Sequence, residues 1–123
     1  MIKLHDNYFK PFISSSEIDA AITQMASKIS EDLGDEIPVF IGILNGSFMV
    51  VSDFVKKYNK PCEVTFVKLA SYEGVSSTEE IQRLIGLNQD VSDRTVVILE
   101  DIIDTGNTLE EIYHIFSEKG VKD

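Results

Sequence analysis

The chain has 123 residues, 43% of them hydrophobic and 26% charged, a composition suited to one soluble globular domain with a single modest core. Its 21 acids outweigh its 11 lysines and arginines, for a formal net charge of −10. Such a surface repels nucleic acid and anionic membranes, which excludes both as expected partners, and any phosphate site must then rely on local donors or a metal ion.

The opening stretch, MIKLHDNYFKPF, is interrupted by His5, Asp6 and Lys10, so it lacks the apolar centre of a signal peptide. Nothing later is long and apolar enough to span a bilayer, and the expected location is the cytoplasm. Tyr8, Phe9 and Phe12 are expected to pack this arm onto the core. Ser14 and Glu17 have capping-box spacing, and Ile18, Ile22, Met25, Ile29 and Leu33 then recur at helical intervals up to Gly34. Pro38 opens VFIGIL, a nearly continuous apolar run suited to a strand buried on both faces. Asn45, Gly46 and Ser47 form a turn. SFMVVSDFVKKY predicts a second helix with Val51, Phe54, Val55 and Tyr58 facing inward.

CEVTFVKL is rich in strand formers. Its Cys62 permits no internal disulfide, fits a reducing compartment and is expected to serve as a small core hydrophobe. Residues 70–80, ASYEGVSSTEE, have little to bury and predict a mobile loop, from which IQRLIGL returns as a short strand. RTVVIL is a further strand. Leu109, Ile112, Tyr113 and Phe116 mark the inner face of a third helix that Gly120 ends. This order of near-continuous apolar strands and amphipathic helices predicts an α/β fold built on a mainly parallel sheet flanked by helices. In such sheets ligands bind beyond the carboxyl ends of the strands, where both Asn45–Ser47 and Glu100–Thr108 fall.

The second of these turns carries the chemistry. In VVILEDIIDTGNTL, residues 96–109, a buried strand runs directly into Glu100, Asp101 and Asp104. Burying acids is unfavourable unless a cation or hydrogen-bond donors meet them. A helix starting near Asn107 leaves backbone N–H groups unpaired. Gly106 allows close approach, and Thr105 and Thr108 add hydroxyls, which together make a cradle for a phosphate monoester. Glu100 and Asp101 would repel that ligand unless they hold its hydroxyls or a Mg2+ ion bound to it. An Asp or Thr at a helix start is often only a cap, but three acids with Thr-Gly-x-Thr after a buried strand exceed what capping needs. Other phosphate motifs do not fit: the chain has no Gly-x-x-x-x-Gly-Lys-Ser/Thr and no Gly-x-Gly-x-x-Gly after a strand.

VVILEDIIDTGNTL closely resembles the phosphoribosyl-pyrophosphate motif of the type I phosphoribosyltransferases, and its Glu-Asp-Ile-Ile-Asp-Thr-Gly core is similar to the 6-oxopurine, or hypoxanthine-guanine, branch. GILNGSF, residues 42–48, resembles the pyrophosphate loop of that family, and SYEG resembles the Ser-Tyr of its flexible catalytic loop. The three stretches follow the family's order with plausible spacing, so the resemblance covers nearly the whole chain. The resemblance implies that Glu100 and Asp101 hold the ribose hydroxyls, directly or through Mg2+, and that Asp104 sits near purine N7 as general base. It implies that Thr105, Gly106, Asn107 and Thr108 cradle the 5′-phosphate. Leu44, Asn45 and Gly46 would form the pyrophosphate loop, with a non-proline cis peptide between Leu44 and Asn45. Ser71 and Tyr72 would close over the site and exclude water.

The implied activity is purine salvage: transfer of the phosphoribosyl group to hypoxanthine or guanine, giving IMP or GMP and pyrophosphate, in an enzyme that works as a homodimer or homotetramer. Many relatives carry lysine at the positions of Asn45 and Asn107, so this chain is expected to depend strongly on Mg2+. A non-catalytic regulator of the same fold, a different acceptor base such as xanthine or adenine, and an inactive fragment are the alternatives. The regulators of this fold that bind RNA do so through a basic face, which a net charge of −10 disfavours. GVKD closes the sequence where the next parallel strand would begin, so a single domain, incomplete at its C-terminus and lacking the base pocket, is expected. His5 and His114 match no metal spacing, and Lys68 reads equally well as a pyrophosphate contact or a solvated strand-end residue.

Overall fold

A computed structural model of the chain describes residues 2–73, 80–87, 89–102 and 107–123. The N-terminal arm folds on itself as β1 (Ile2–Leu4) and β2 (Asn7–Phe9), an antiparallel pair with Ile2 opposite Phe9. Tyr8, Phe9 and Phe12 do not join the core as expected; they are exposed, Phe12 to 92%. The arm pairs with itself as a hairpin rather than adding to the four-stranded sheet.

Helix α1 (Ser15–Leu33) begins as the sequence indicates. Ser14 Oγ accepts from Glu17 N at 3.1 Å, and Glu17 Oε1 accepts from Ser14 N at 3.2 Å. Lys60 Nζ reaches across from the chain after the second helix and donates to the carbonyls of Ser30 and Gly34 at 2.7 and 2.8 Å, closing the far end of α1. Strand β3 (Val39–Ile43) is buried along its whole length, in keeping with its unbroken apolar run. Helix α2 (Phe48–Lys57) follows after a turn and packs on α1.

Strand β4 (Glu63–Glu73) is longer than the sequence indicates. It continues through Ala70, Ser71 and Tyr72, which were expected to begin a mobile loop, because β5 (Glu80–Ile85) returns antiparallel beside it with Ser71 opposite Gln82. Residues 74–79, the remainder of the expected loop, lie outside the described residues. Strand β6 (Val96–Leu99) and helix α3 (Asn107–Glu118) complete the order. The four-stranded sheet runs β5-β4-β3-β6, with β4, β3 and β6 parallel and β5 antiparallel at one edge.

Alternation along β3 divides the interior in two. Phe40 joins Ile22, Ala26, Val51, Phe54 and Tyr58 beneath α1 and α2. Val39, Ile41 and Ile43 join Val67, Val91, Ile112 and Phe116 beneath α3. A Cβ on Gly42 would stand 2.7 Å from Val51 Cγ2 and 2.9 Å from Phe66 Cδ1, so the bare backbone there lets α2 lie close on the sheet. On α3, Ile112 and Phe116 are buried, whereas Tyr113, expected to face inward, is 73% exposed. Ile112 and Phe116 are one turn apart and define the seam; Tyr113 lies about 100° off the first of them. Gly120, at φ +74°, turns the chain after α3.

The last residues run back along the free edge of β6: Lys122 N donates to Arg94 O, and Val96 N to Asp123 O, each at 2.9 Å. Lys122 also pairs with Glu36, and Arg94 bonds Glu63 Oε2 and Ile37 O, each at 3.1 Å, at the amino ends of the strands. Above this tail a groove of about 570 Å3 opens between β6 and α3, lined by apolar residues including Val97, Ile98, Leu109 and Ile112. No helix among the described residues is long and apolar enough to cross a membrane.

Candidate functional site

Sheet register brings the two sequence motifs together. Gly42 on β3 pairs in parallel with Leu99 on β6, so the turn that leaves β3 and the acids that leave β6 emerge side by side at the same end of adjacent strands. The turn after β3 is short and held at both ends. Leu44 N donates to Val67 O of β4 at 2.8 Å, and the buried Ser47 hydroxyl donates to Ile43 O. Between these anchors Leu44, Asn45 and Gly46 are exposed. The Leu44–Asn45 peptide is cis, as the resemblance implied.

Gly46 faces the acids. A Cβ built on it would lie 2.8 Å from Asp101 Cγ and 3.1 Å from Asp101 Oδ1. Only hydrogen occupies that space, so the carboxylate of Asp101 rests directly on the backbone of the turn. Glu100 is half-buried and Asp101 is exposed. Burial first, and then the neighbouring Asp101 carboxyl, push the Glu100 carboxyl above the ordinary carboxylate range. Two acids thus sit side by side at a strand end, and among the described residues neither forms an ion pair. Among the described residues no three metal-binding side chains converge, and the acids placed to hold a metal ion here, with ligand oxygens, are Glu100 and Asp101. That donor set suits Mg2+, which binds hard oxygens and commonly takes one or two carboxylates together with phosphate oxygens.

Of the remaining expected site residues, Asn107 and Thr108 open α3, whose first-turn amides have no partners within the helix. Asp104, Thr105 and Gly106 lie outside the described residues. Ser71 and Tyr72 fall in β4, across from Gln82 and Ile81 of β5, rather than in a loop. Lys68 is exposed on β4 immediately after Val67, whose carbonyl holds Leu44, which places it beside the turn. His114 is exposed on α3 and lies 3.2 Å from Glu118 Oε1, a surface pairing one helical turn along. Burial pushes the Cys62 thiol up, away from the reactive thiolate, in keeping with a packing role.

Residues 14–123 match the phosphoribosyl transferase domain family. The chain is 39% identical over 107 residues to the hypoxanthine phosphoribosyltransferase of Salmonella typhimurium, covering 84% of this chain and 60% of that protein. It is 32% identical over 119 residues to the hypoxanthine-guanine phosphoribosyltransferase of Staphylococcus epidermidis, covering 96% of this chain and 66% of that one. The crystal structure of a hypoxanthine phosphoribosyltransferase from Staphylococcus aureus superposes with a TM-score of 0.82 at 26% identity, covering 96% of this chain and 65% of that one. This chain therefore spans between three fifths and two thirds of the length of these relatives. With the motif at the carboxyl end of β6, the turn after β3 and the parallel sheet beneath them, the chain belongs to the phosphoribosyl transferase domain family.

Proposed function

We propose that this chain binds phosphoribosyl pyrophosphate together with Mg2+, and that the protein transfers the phosphoribosyl group to a 6-oxopurine, hypoxanthine or guanine, releasing pyrophosphate. The observation that carries the reading is the contact of Asp101 with the bare backbone of Gly46, since it joins the two loops that a substrate bearing both a ribose and a pyrophosphate must bridge. The relatives named as hypoxanthine and hypoxanthine-guanine phosphoribosyltransferases support the choice of base.

In this reading the exposed backbone of Leu44, Asn45 and Gly46 binds the pyrophosphate. Glu100 and Asp101 hold the ribose hydroxyls and the metal ion. Bound Mg2+ supplies positive charge against the departing pyrophosphate. As the bond to pyrophosphate breaks, positive charge develops on the ribose, and the carboxylates beside it stabilise that charge. Thr105, Gly106, Asn107 and Thr108 hold the 5′-phosphate, Asp104 accepts the purine proton, and Ser71 and Tyr72 shield the reacting centre from water.

Two measurements test this. Nucleotide formation is assayed with Mg2+, phosphoribosyl pyrophosphate and hypoxanthine, guanine or xanthine in parallel; turnover names the base. Calorimetric titration with phosphoribosyl pyrophosphate and Mg2+ tests the binding half alone. Absence of binding, or equal binding with the metal chelated, would refute the proposed site.

A further inference from the structure

Ser47 is fully buried, yet its hydroxyl does nothing for the helix it precedes. A serine at the position before a helix ordinarily accepts from an amide of the first turn. Ser47 makes no such bond: its backbone is already helical, at φ −74° and ψ −10°, and its Oγ donates backwards to Ile43 O at the end of β3. Its own carbonyl accepts from Val51 N at 2.9 Å, so the residue is tied into α2 by its backbone and to β3 by its side chain. The three exposed residues between, Leu44 to Gly46, are thereby closed into a tight turn over a buried hydrogen bond. The first-turn amides of α2 are left without a side-chain cap.

We infer that Ser47 is a positioning residue for pyrophosphate: its buried hydroxyl, by holding Ile43 O, sets the direction of the Leu44–Gly46 backbone and keeps the amide end of α2 open to the anion. The inference rests on the proposed binding of phosphoribosyl pyrophosphate and deepens it. It makes a specific demand, because the bond spans the turn that meets pyrophosphate and, among the described residues, joins only Ser47 to the end of β3. Losing it should weaken one ligand and spare the other.

The test is calorimetric titration of the folded 123-residue chain with pyrophosphate plus Mg2+ and, separately, with ribose 5-phosphate. Ser47→Ala should bind pyrophosphate about tenfold more weakly, the scale of one net hydrogen bond, and ribose 5-phosphate as before. Ser47→Cys, of similar volume but a weaker donor, should fall between, and it decides the matter if the alanine variant does not fold. Unchanged pyrophosphate binding, or equal loss of both ligands, overturns the inference while leaving the site reading intact. If the parent chain binds neither ligand, the reading of the site fails and the role of Ser47 falls with it.

Discussion

Gly46→Ala separates the stability of this domain from the geometry of its site. A Cβ at position 46 would lie 2.8 Å from Asp101 Cγ, while unstrained carbon contacts begin at about 3.5 Å, so the carboxylate must retreat by roughly 1 Å. Asp101 is exposed, so its carboxylate can yield toward solvent and little of this displacement reaches the core. Gly46 is not among the glycines with positive φ, so alanine suits the backbone and, by restricting the unfolded chain, contributes about 0.4–1 kcal/mol in favour of folding. The two effects nearly offset, and the melting temperature should stay within about 4 °C of the parent. Affinity for phosphoribosyl pyrophosphate with Mg2+ should nevertheless fall about ten- to a hundredfold, as when a metal ligand loses its orientation. Thermal melting followed by circular dichroism, paired with calorimetric titration, reads both quantities. Full affinity in a folded Gly46→Ala protein would refute the claim that Asp101 and the turn form one site.

Three further outcomes follow from charge and packing. Glu100 is held above the ordinary carboxylate value by burial and by Asp101, so the folded state is favoured below that value and loses this stability as pH rises through the raised one. Glu100→Gln should therefore melt higher than the parent at pH 7.5 in metal-free buffer, with the gain gone near pH 3.5; a gain that persists in acid contradicts the assignment. The Lys122 hydrogen bond holds the Glu36 carboxyl below its usual range, so its contribution is present above the ordinary glutamate value and lost as pH falls through the lowered one. Glu36→Gln should melt lower than the parent at pH 7, the two curves converging in acid, and a constant gap would count against the pair. Phe54 is wholly buried, with ring centroids 5.0 Å from Phe40 and 6.2 Å from Tyr58, so Phe54→Ala should cost about 3–5 kcal/mol in urea denaturation; a loss below about 1 kcal/mol would mean the aromatic cluster is not where α2 is held.

Local signals were legible where local physics decides. The Ser14–Glu17 box, the unbroken apolar run of β3 and the start of α3 at Asn107 all follow from neighbours in sequence. The polar end of β4 does not: Ala70 to Glu73 are strand because β5 lies beside them, a pairing that residue preferences cannot express. Tyr113 was misplaced because an apolar body at i+1 from Ile112 satisfies a loose helical count without lying on the seam. At the site, the acids and the small-residue turn were visible as a motif, and the resemblance supplied their roles. Their contact through Gly46 is tertiary and had no sequence signal. The sequence places Ser47 in the turn at the start of the second helix, and its burial and its bond to Ile43 appear only in the structure.

The division of the interior by β3 has a consequence for the order in which the molecule is made. Among the described residues, six of the seven buried on the α1–α2 face, Ile22, Ala26, Phe40, Val51, Phe54 and Tyr58, are synthesised before residue 59, and Leu99 comes later. The opposite face draws Val67, Val91, Ile112 and Phe116 from the remainder of the chain. Contacts close in sequence form with little loop-closure entropy, so a nascent chain can seat α1 and α2 on β3, and shape the turn at 44–46, before Asp101 leaves the ribosome. The two halves of the site are thus separated in time as well as in sequence, and the acids arrive at a surface already built to receive them.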